Sequence, residues 1–252
     1  MVTDPILQLK SIIGDDYTSL LGTLISFLIF VCLLPSWVEI RWNGNQFDSN
    51  LYSKLFRDIN RVGSLFIGFL YSLLLILLML FFVFLFSWGR WAGEITLINV
   101  FNALFLFFIV GFAEELIFRF WLYGELTQFF PSFISISLQA FVFSLVHLNP
   151  SFGFIQTLTH LISLYLLGIV LSLIRRRDNG SIFGCIGFHG GLVSTWFLLD
   201  SGLIEFSQRI PYWFLGISES YSNPISSCFS ILSLLLMSIY FFKTSKHSKE
   251  YI

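Results

Sequence analysis

The stretch VGFAEELIFRFW, residues 110–121, places the charged side chains of Glu114, Glu115 and Arg119 in a very apolar sequence. Only one other residue between positions 95 and 174 carries a formal charge. Apolar runs of roughly 20 residues are long enough to cross a bilayer as helices. Ionised side chains at membrane depth are costly, and proteins usually retain them for a function. The stretch therefore predicts membrane-spanning helices with a functional site at these three charges.

The composition of the whole chain agrees with a membrane protein. Of its 252 residues, 56% are hydrophobic and 12% are charged, and the mean hydropathy is +0.82. Soluble domains carry about 25% charged residues. We therefore expect an all-α fold, a polytopic transmembrane helical bundle with membrane lipid as a partner. The net charge of −1 gives no indication of nucleic-acid binding.

Apolar runs of membrane-spanning length predict seven spans. They cover residues 17–34, 65–88, 95–121, 131–148, 154–174, 181–199 and 225–242. The third run is too long for one simple span, so it forms either a tilted helix or two pieces, which would give eight spans. Residues 1–64 are expected to form an N-terminal region with the first helix and a polar loop at 39–63. Residues 65–252 are expected to form the membrane-embedded core.

Basic residues follow the first, fifth and seventh predicted spans, which places them on one side of the membrane if the spans alternate. They are Arg41, Lys54, Arg57, Arg61, Arg175, Arg176, Arg177, Lys243, Lys246 and Lys249. Because short cytoplasmic loops are enriched in Lys and Arg, this side is predicted to be the cytoplasm. The C-terminus then lies in the cytoplasm, whereas the N-terminus and the acidic loop at 200–223 lie outside. The compact chain favours a bacterial plasma membrane or an organellar membrane.

On a helix, the three charges divide into a pair and a single carboxylate. Residues four apart share a face, so Glu115 and Arg119 are expected to pair and neutralise each other. Glu114 points about 100° away from Glu115 and has no obvious partner in its own helix. A carboxylate held in apolar surroundings is suited to the work of a general base. The alternative is that the three charges only connect helices or line an ion path.

Three histidines lie in apolar spans. His147 closes the fourth span in FVFSLVHLNP, with Phe143 on the same face one turn earlier. His189 lies in GFHGGLV, where the glycines allow backbone or substrate to approach closely. His160 lacks such surroundings and is interpreted as a packing or interhelical hydrogen-bonding residue. Two carboxylates and two histidines on three spans supply a base, a second proton carrier and donors for an oxyanion.

Three short motifs follow one another in the C-terminal half: EELIFR (114–119), FSLVH (143–147) and GFHGGLV (187–193). The first two match the EExxxR and FxxxH motifs of the CPBP family of intramembrane proteases, also called the Abi family. That family is named after CAAX-prenyl endopeptidases and bacteriocin-processing proteins. The third motif resembles the family's HxxxN-like motif. The resemblance covers residues 105–198.

This resemblance implies a glutamate-dependent intramembrane endopeptidase that hydrolyses a membrane-associated peptide or protein. Glu114 resembles the family's water-activating glutamate, and His147 the histidine that works with it. His189 is similar to the histidine that stabilises the oxyanion. Supporting residues are also implied, namely Glu115, Arg119, Phe143 and Asn149. No cofactor is expected, although zinc bound by Glu114, His147 and His189 is an alternative on chemical grounds.

One position departs from the family pattern. Where the family often has Asn or Asp four residues after the third-motif histidine, this chain has Val193, which cannot donate to an oxyanion. Asn149, Ser194 or a backbone N–H near residues 190–191 are candidate substitutes. The loss of one such donor typically costs about 10²–10³ in rate. A non-catalytic scaffold, or an immunity or regulatory membrane protein, therefore stays open as a second function. A proton-coupled transporter is a third, and the lack of internal repeats counts against it.

Overall fold

The computed structural model describes residues 15–42, 61–149, 152–216 and 224–245. Helices account for most of these residues, which confirms the all-α bundle. Five helices within the described ranges are long and apolar enough to cross a membrane. The protein is an integral, multi-pass membrane protein. Its chain divides into two compact units, Met1–Asp58 and Ile59–Ile252.

The first unit contains helix α1, Asp15–Trp42. The sequence predicted that this span ends at residue 34 and that a polar loop begins at residue 39, and both boundaries are wrong. A proline removes one backbone hydrogen bond but often bends a helix without ending it, and α1 continues through Pro35. The residues after Pro35 remain largely apolar as far as Trp42. The rest of the predicted loop up to residue 60 lies outside the described residues, as do Lys246 and Lys249.

The second unit contains seven helices within the described residues. They are α2 Val62–Leu85, α3 Leu97–Thr127, α4 Ser132–Val146, α5 Phe154–Arg177, α6 Phe183–Leu198, α7 Tyr212–Leu215 and α8 Cys228–Ser245. All six spans predicted for this unit fall on these helices. Helix α4 has only 15 residues, fewer than the roughly 20 that a simple span needs. The 16 residues of α6 continue directly into a π-helical segment, Leu199–Leu203.

Helix α3 is one continuous helix of 31 residues rather than two pieces. Two π-helical segments interrupt its regular winding, at Leu106–Val110 and Glu115–Leu122. Such wide turns are rare and are often found at functional sites. The second segment begins directly after Glu114, so the acidic pair lies where the winding changes.

Helix α6 packs closely against the backbones of α2 and α3 because it is rich in glycine. A methyl group added at Gly187 would collide with the Leu65 carbonyl of α2, and one at Gly190 with the Phe107 carbonyl of α3. Small residues allow helix backbones to approach in this way in membranes. The close contact with α3 brings His189, which lies between these two glycines, towards the acidic pair.

A two-stranded antiparallel ladder joins the loop after α2 to the loop after α6. Strand β1, Gly89–Trp91, pairs with β2, Ile204–Phe206. Arg90 and Glu205 form an ion pair across it. The predicted loop at 200–223 therefore contains β2 and α7. Neither strand was predicted, because three residues are too few to show an alternating pattern.

The main apolar core of the second unit lies between the C-terminal half of α5, the N-terminal half of α6 and the end of α8. It includes Val170, Leu171, Ile174, Cys185, Phe188 and Phe241, all at 0% relative exposure. We call the part of the bundle around these six residues the packed half.

Candidate active site

The predicted pair on α3 is present and fully buried. Arg119 Nη1 lies 3.1 Å from Glu115 Oε1, and neither side chain is exposed to solvent. The Arg119 guanidinium carbon also lies 4.1 Å from the centre of the Phe143 ring on α4. An opposite charge and an aromatic face together compensate a buried guanidinium. The supporting residues Glu115, Arg119 and Phe143 thus form one contact group that joins α3 to α4.

Glu115 also holds His189, a contact that the sequence analysis missed. His189 Nδ1–H donates to Glu115 Oε1 at 2.8 Å, in a buried setting. A carboxylate that accepts from one ring nitrogen fixes the tautomer and orientation of an imidazole. The other nitrogen of His189, Nε2, therefore faces Glu114, whose Oε2 lies 3.8 Å away. The result is a chain of contacts from Arg119 through Glu115 to His189.

His147 approaches Glu114 from α4. Its Nδ1–H donates to the Phe143 carbonyl at 2.7 Å, which leaves Nε2 directed at Glu114 Oε2 across 3.4 Å. In the sequence analysis this histidine lay near the outer end of a full-length span, away from His189. The structure brings the two side chains together at Glu114, with His147 directly after the end of α4 and His189 inside α6.

Glu114, His147 and His189 line one cavity with a volume of about 490 Å³. The side chain of Glu114 is 25% exposed and that of His147 is 31% exposed, so both are accessible from the cavity. Most of the wall is apolar. The arrangement combines a carboxylate, two oriented imidazoles and an apolar cleft, which is a suitable setting for general acid–base chemistry.

His160 lines the same cavity. Its Nδ1 lies 2.9 Å from Ser226 Oγ in the 3-10 turn Pro224–Ser226, and its ring stacks edge-on against Phe152. The expected interhelical hydrogen bond is therefore present. The sequence analysis missed the position of His160 at the cavity, because that depends on how α5 faces α3 and α6 and leaves no local signal.

The candidate substitutes for the missing oxyanion donor do not face Glu114. Asn149 is exposed and is not among the residues that line the cavity. Ser194 is buried, and its hydroxyl donates to the Gly191 carbonyl of its own helix at 3.5 Å. Residues 190 and 191 lie inside α6, where backbone N–H groups serve the helix itself. Val193 does line the cavity.

No group of three or more His, Cys, Asp and Glu side chains within the described ranges is arranged to hold a metal ion. The two histidine Nε2 atoms approach the same oxygen of Glu114, at 3.4 and 3.8 Å. Two imidazoles from different parts of the fold therefore converge on one carboxylate oxygen.

Comparison with known families agrees with the motif resemblance. Residues 96–195 match the family model of the type II CAAX prenyl endopeptidase, Rce1-like. This segment contains all three motifs, so the resemblance to the CPBP family is confirmed there. Residues 1–46 match a domain of unknown function, DUF8676. No curated protein and no solved structure matches the chain.

Proposed function

We propose that this chain, whose residues 96–195 form a CAAX prenyl endopeptidase-like domain of the CPBP type, is an intramembrane endopeptidase. It hydrolyses a peptide bond in a membrane-associated peptide or protein, with Glu114 and His147 activating the water. One observation carries the proposal. Glu114 faces the free nitrogens of two histidines, and each histidine is held by a hydrogen bond at its other nitrogen.

Water activation follows from the hydrogen bonds of His147. Because its Nδ1–H is committed to the Phe143 carbonyl, a neutral His147 has a proton acceptor at Nε2. A water molecule bound beside the pair, on its cavity side, can lose a proton to the Glu114 carboxylate as its oxygen attacks the peptide carbonyl. The proton taken by the pair is then available to the amine that leaves.

Oxyanion stabilisation is assigned to His189. Its Nδ1–H donates to the buried carboxylate of Glu115, which leaves Nε2 on the side of the cavity. A protonated His189 presents Nε2–H to the cavity, where it can donate to the oxygen that becomes negative in the tetrahedral intermediate. Arg119 holds the Glu115 carboxylate in place. We propose that no metal takes part, so strong chelators should leave cleavage unchanged.

The test compares the wild-type chain with Glu114→Gln, which keeps the shape of the side chain but removes the base. The matched control is Glu125→Gln, which removes a carboxylate from the same helix outside the cavity. Peptide termini generated in membranes that contain each variant are compared by mass spectrometry. Termini present with the wild type and with Glu125→Gln, but absent with Glu114→Gln, support the proposal. Identical termini for all three chains would overturn it.

A second function is favoured by one observation, the apolar side chain of Val193 at the cavity wall. A non-catalytic member of the family would bind a peptide or partner protein in this cavity without cutting it, as a scaffold, immunity or regulatory protein. The biological phenotype separates the two functions. Full complementation by the Glu114→Gln chain would support the non-catalytic function, and loss of complementation would support the peptidase.

A further inference from the structure

Five basic residues mark one end of the second unit: Arg61, Arg175, Arg176, Arg177 and Lys243. Contacts show that the helix ends carrying these residues lie together at one end of the second unit. Arg61 Nη1 donates to the Asp178 carbonyl at 2.5 Å, and the Arg177 guanidinium lies 5.3 Å from the ring of Phe241, near the end of α8. Arg175 lies 4.8 Å from the Tyr123 ring at the end of α3. We call this the cationic end.

The cavity lies in the half of the bundle away from the cationic end. Each of the helices α2, α3, α5, α6 and α8 lines it mainly with the part that is distant from the cationic end. These lining residues are Leu75, Ile76 and Met79; Leu106, Val110 and Glu114; His160, Leu164 and Leu167; His189, Leu192, Val193, Trp196 and Phe197; and Phe229, Ser230 and Leu234. All five helices therefore place the cavity in the half of the bundle that is away from the cationic end.

Helix α6 gives the length and direction of this cavity. His189, Val193 and Trp196 of α6 line it at helical spacing, and so does Asp200 in the π-helical segment that continues α6. At 1.5 Å per residue, the distance along the axis from His189 to Asp200 is about 16 Å. That length accommodates roughly five residues of extended peptide. Asp200 is the exposed member of this series, which places the mouth at its end and the histidines at the floor.

The packed half occupies the space between the floor and the cationic end. Its six defining side chains are fully buried, and Phe143 and Phe118 join the same core beneath the site. Protein cores of this kind are close-packed and leave no path for a peptide or for bulk water. Access to Glu114 from the cationic end is therefore closed by the core.

We infer that, within the described residues of the second unit, the cavity opens towards the face opposite the cationic end. Since Lys and Arg accumulate on the cytoplasmic side of membrane proteins, the mouth at Asp200 lies on the non-cytoplasmic side. The substrate, on the proposed function, is then a largely apolar peptide segment presented from outside the cytoplasm, such as part of an exported peptide or of an outward-facing loop. The direction of opening itself does not depend on catalysis.

The test uses cysteine accessibility in right-side-out and inverted vesicles from bacteria that express the full chain. Cys32 and Cys228, which are exposed, are first replaced by serine. Val193→Cys reports on the cavity wall, and Ser230→Cys is a second reporter there in case the first variant fails to fold. Gln208→Cys and Thr244→Cys, both at exposed positions, mark the Asp200 side and the cationic end. The probe is a charged, membrane-impermeant methanethiosulfonate.

We expect both cavity cysteines and Gln208→Cys to be labelled in right-side-out vesicles and not in inverted vesicles. Thr244→Cys should be labelled in inverted vesicles and not in right-side-out vesicles. Cavity labelling from the Thr244 side would overturn the inference. So would a cavity that is unlabelled from both sides while the markers react, or a Gln208 marker that reacts only in inverted vesicles. The same labelling is repeated with Glu114→Gln, so failure of proteolysis leaves the result on direction unaffected.

Discussion

Glu114 Oε2 and His147 Nε2 face each other across 3.4 Å, although the two residues come from different helices. The hydrogen bond from His147 Nδ1–H to the Phe143 carbonyl sets this orientation. The pair has access to the cavity on one side and packs on Phe143 on the other, since the His147 and Phe143 ring centres are 4.6 Å apart. This geometry makes the pair the most accessible proton-transferring unit of the site.

Replacing His147 by alanine should remove most of the peptidase activity. General acid–base partners typically contribute about 10²–10⁴-fold to a rate, and we expect a loss in that range in kcat with the folded chain preserved. Leu148→Ala is the matched control, because Leu148 is the next residue, is exposed and does not line the cavity. The measurement is turnover of the peptide that the comparison of termini identifies. Equal rates for the two variants would remove His147 from the mechanism.

Replacing His189 by phenylalanine should lower kcat while KM changes little. The ring keeps the volume of the side chain but removes both the hydrogen bond to Glu115 and the nitrogen that faces the cavity. Loss of an oxyanion donor costs about 10²–10³-fold in kcat. The same peptide assay measures it. A variant with unchanged kcat and a weaker KM would show that His189 only binds substrate.

Glu115→Gln should destabilise the protein strongly, because it leaves the guanidinium of Arg119 buried without a charged partner. Removing one member of a buried ion pair typically costs about 3–5 kcal/mol. Thermal unfolding in detergent measures the change, with Glu125→Gln as the control. The double variant Glu115→Gln/Arg119→Met should recover part of the loss. If the double variant recovers no stability, the loss comes mainly from the broken hydrogen bond to His189 and not from the unpaired charge of Arg119.

Val193→Asn should raise the rate of cleavage. Val193 lines the cavity one helical turn from His189, so an amide at this position can donate to the same oxyanion. The gain from one donor is about 10²–10³-fold at most. Val193→Ala, which removes volume without adding a donor, is the control. If asparagine and alanine give the same rate, the valine is not what limits the reaction.

Gly190→Ala should reduce stability and the amount of folded protein in the membrane. The added methyl group would collide with the Phe107 carbonyl and push α6 away from α3, together with His189. Gly63→Ala is the control, since nothing lies within 4 Å of a methyl group there. Retention on size-exclusion chromatography and the unfolding temperature measure the difference. If the two variants behave equally, α3 and α6 can move apart with little loss of stability.

The sequence predicted those parts of the structure that depend on local spacing. The pair Glu115–Arg119 is four residues apart on one helix, so helical geometry alone brings its members together. The bond from Glu115 to His189 joins residues 74 positions apart and depends on how closely α6 approaches α3. Likewise, the approach of His147 to Glu114 joins two different parts of the chain. No periodic pattern in the sequence reports either distance.

The predicted boundaries of the secondary-structure elements were wrong in two situations. In one, apolar residues continue past a proline; in the other, a short strand forms by pairing with a distant part of the chain. Helix α1 runs through Pro35 because the residues after it are still suited to the membrane. Strands β1 and β2 are stabilised by pairing between Arg90 and Glu205, which are 115 positions apart. A three-residue strand has too little propensity of its own to be recognised from the sequence.

The packed half has a consequence for the membrane in which the protein lies. On the proposed function, hydrolysis requires water at Glu114, but a water-filled path through the whole bundle would let protons leak across the bilayer. A membrane potential acts on each elementary charge with about 2.3 kcal/mol per 100 mV, so even a narrow wire of water would dissipate an ion gradient. The fully buried core between the site and Arg175 interrupts such a wire. The fold thereby admits water to the site while it keeps ions from crossing the bilayer through the bundle.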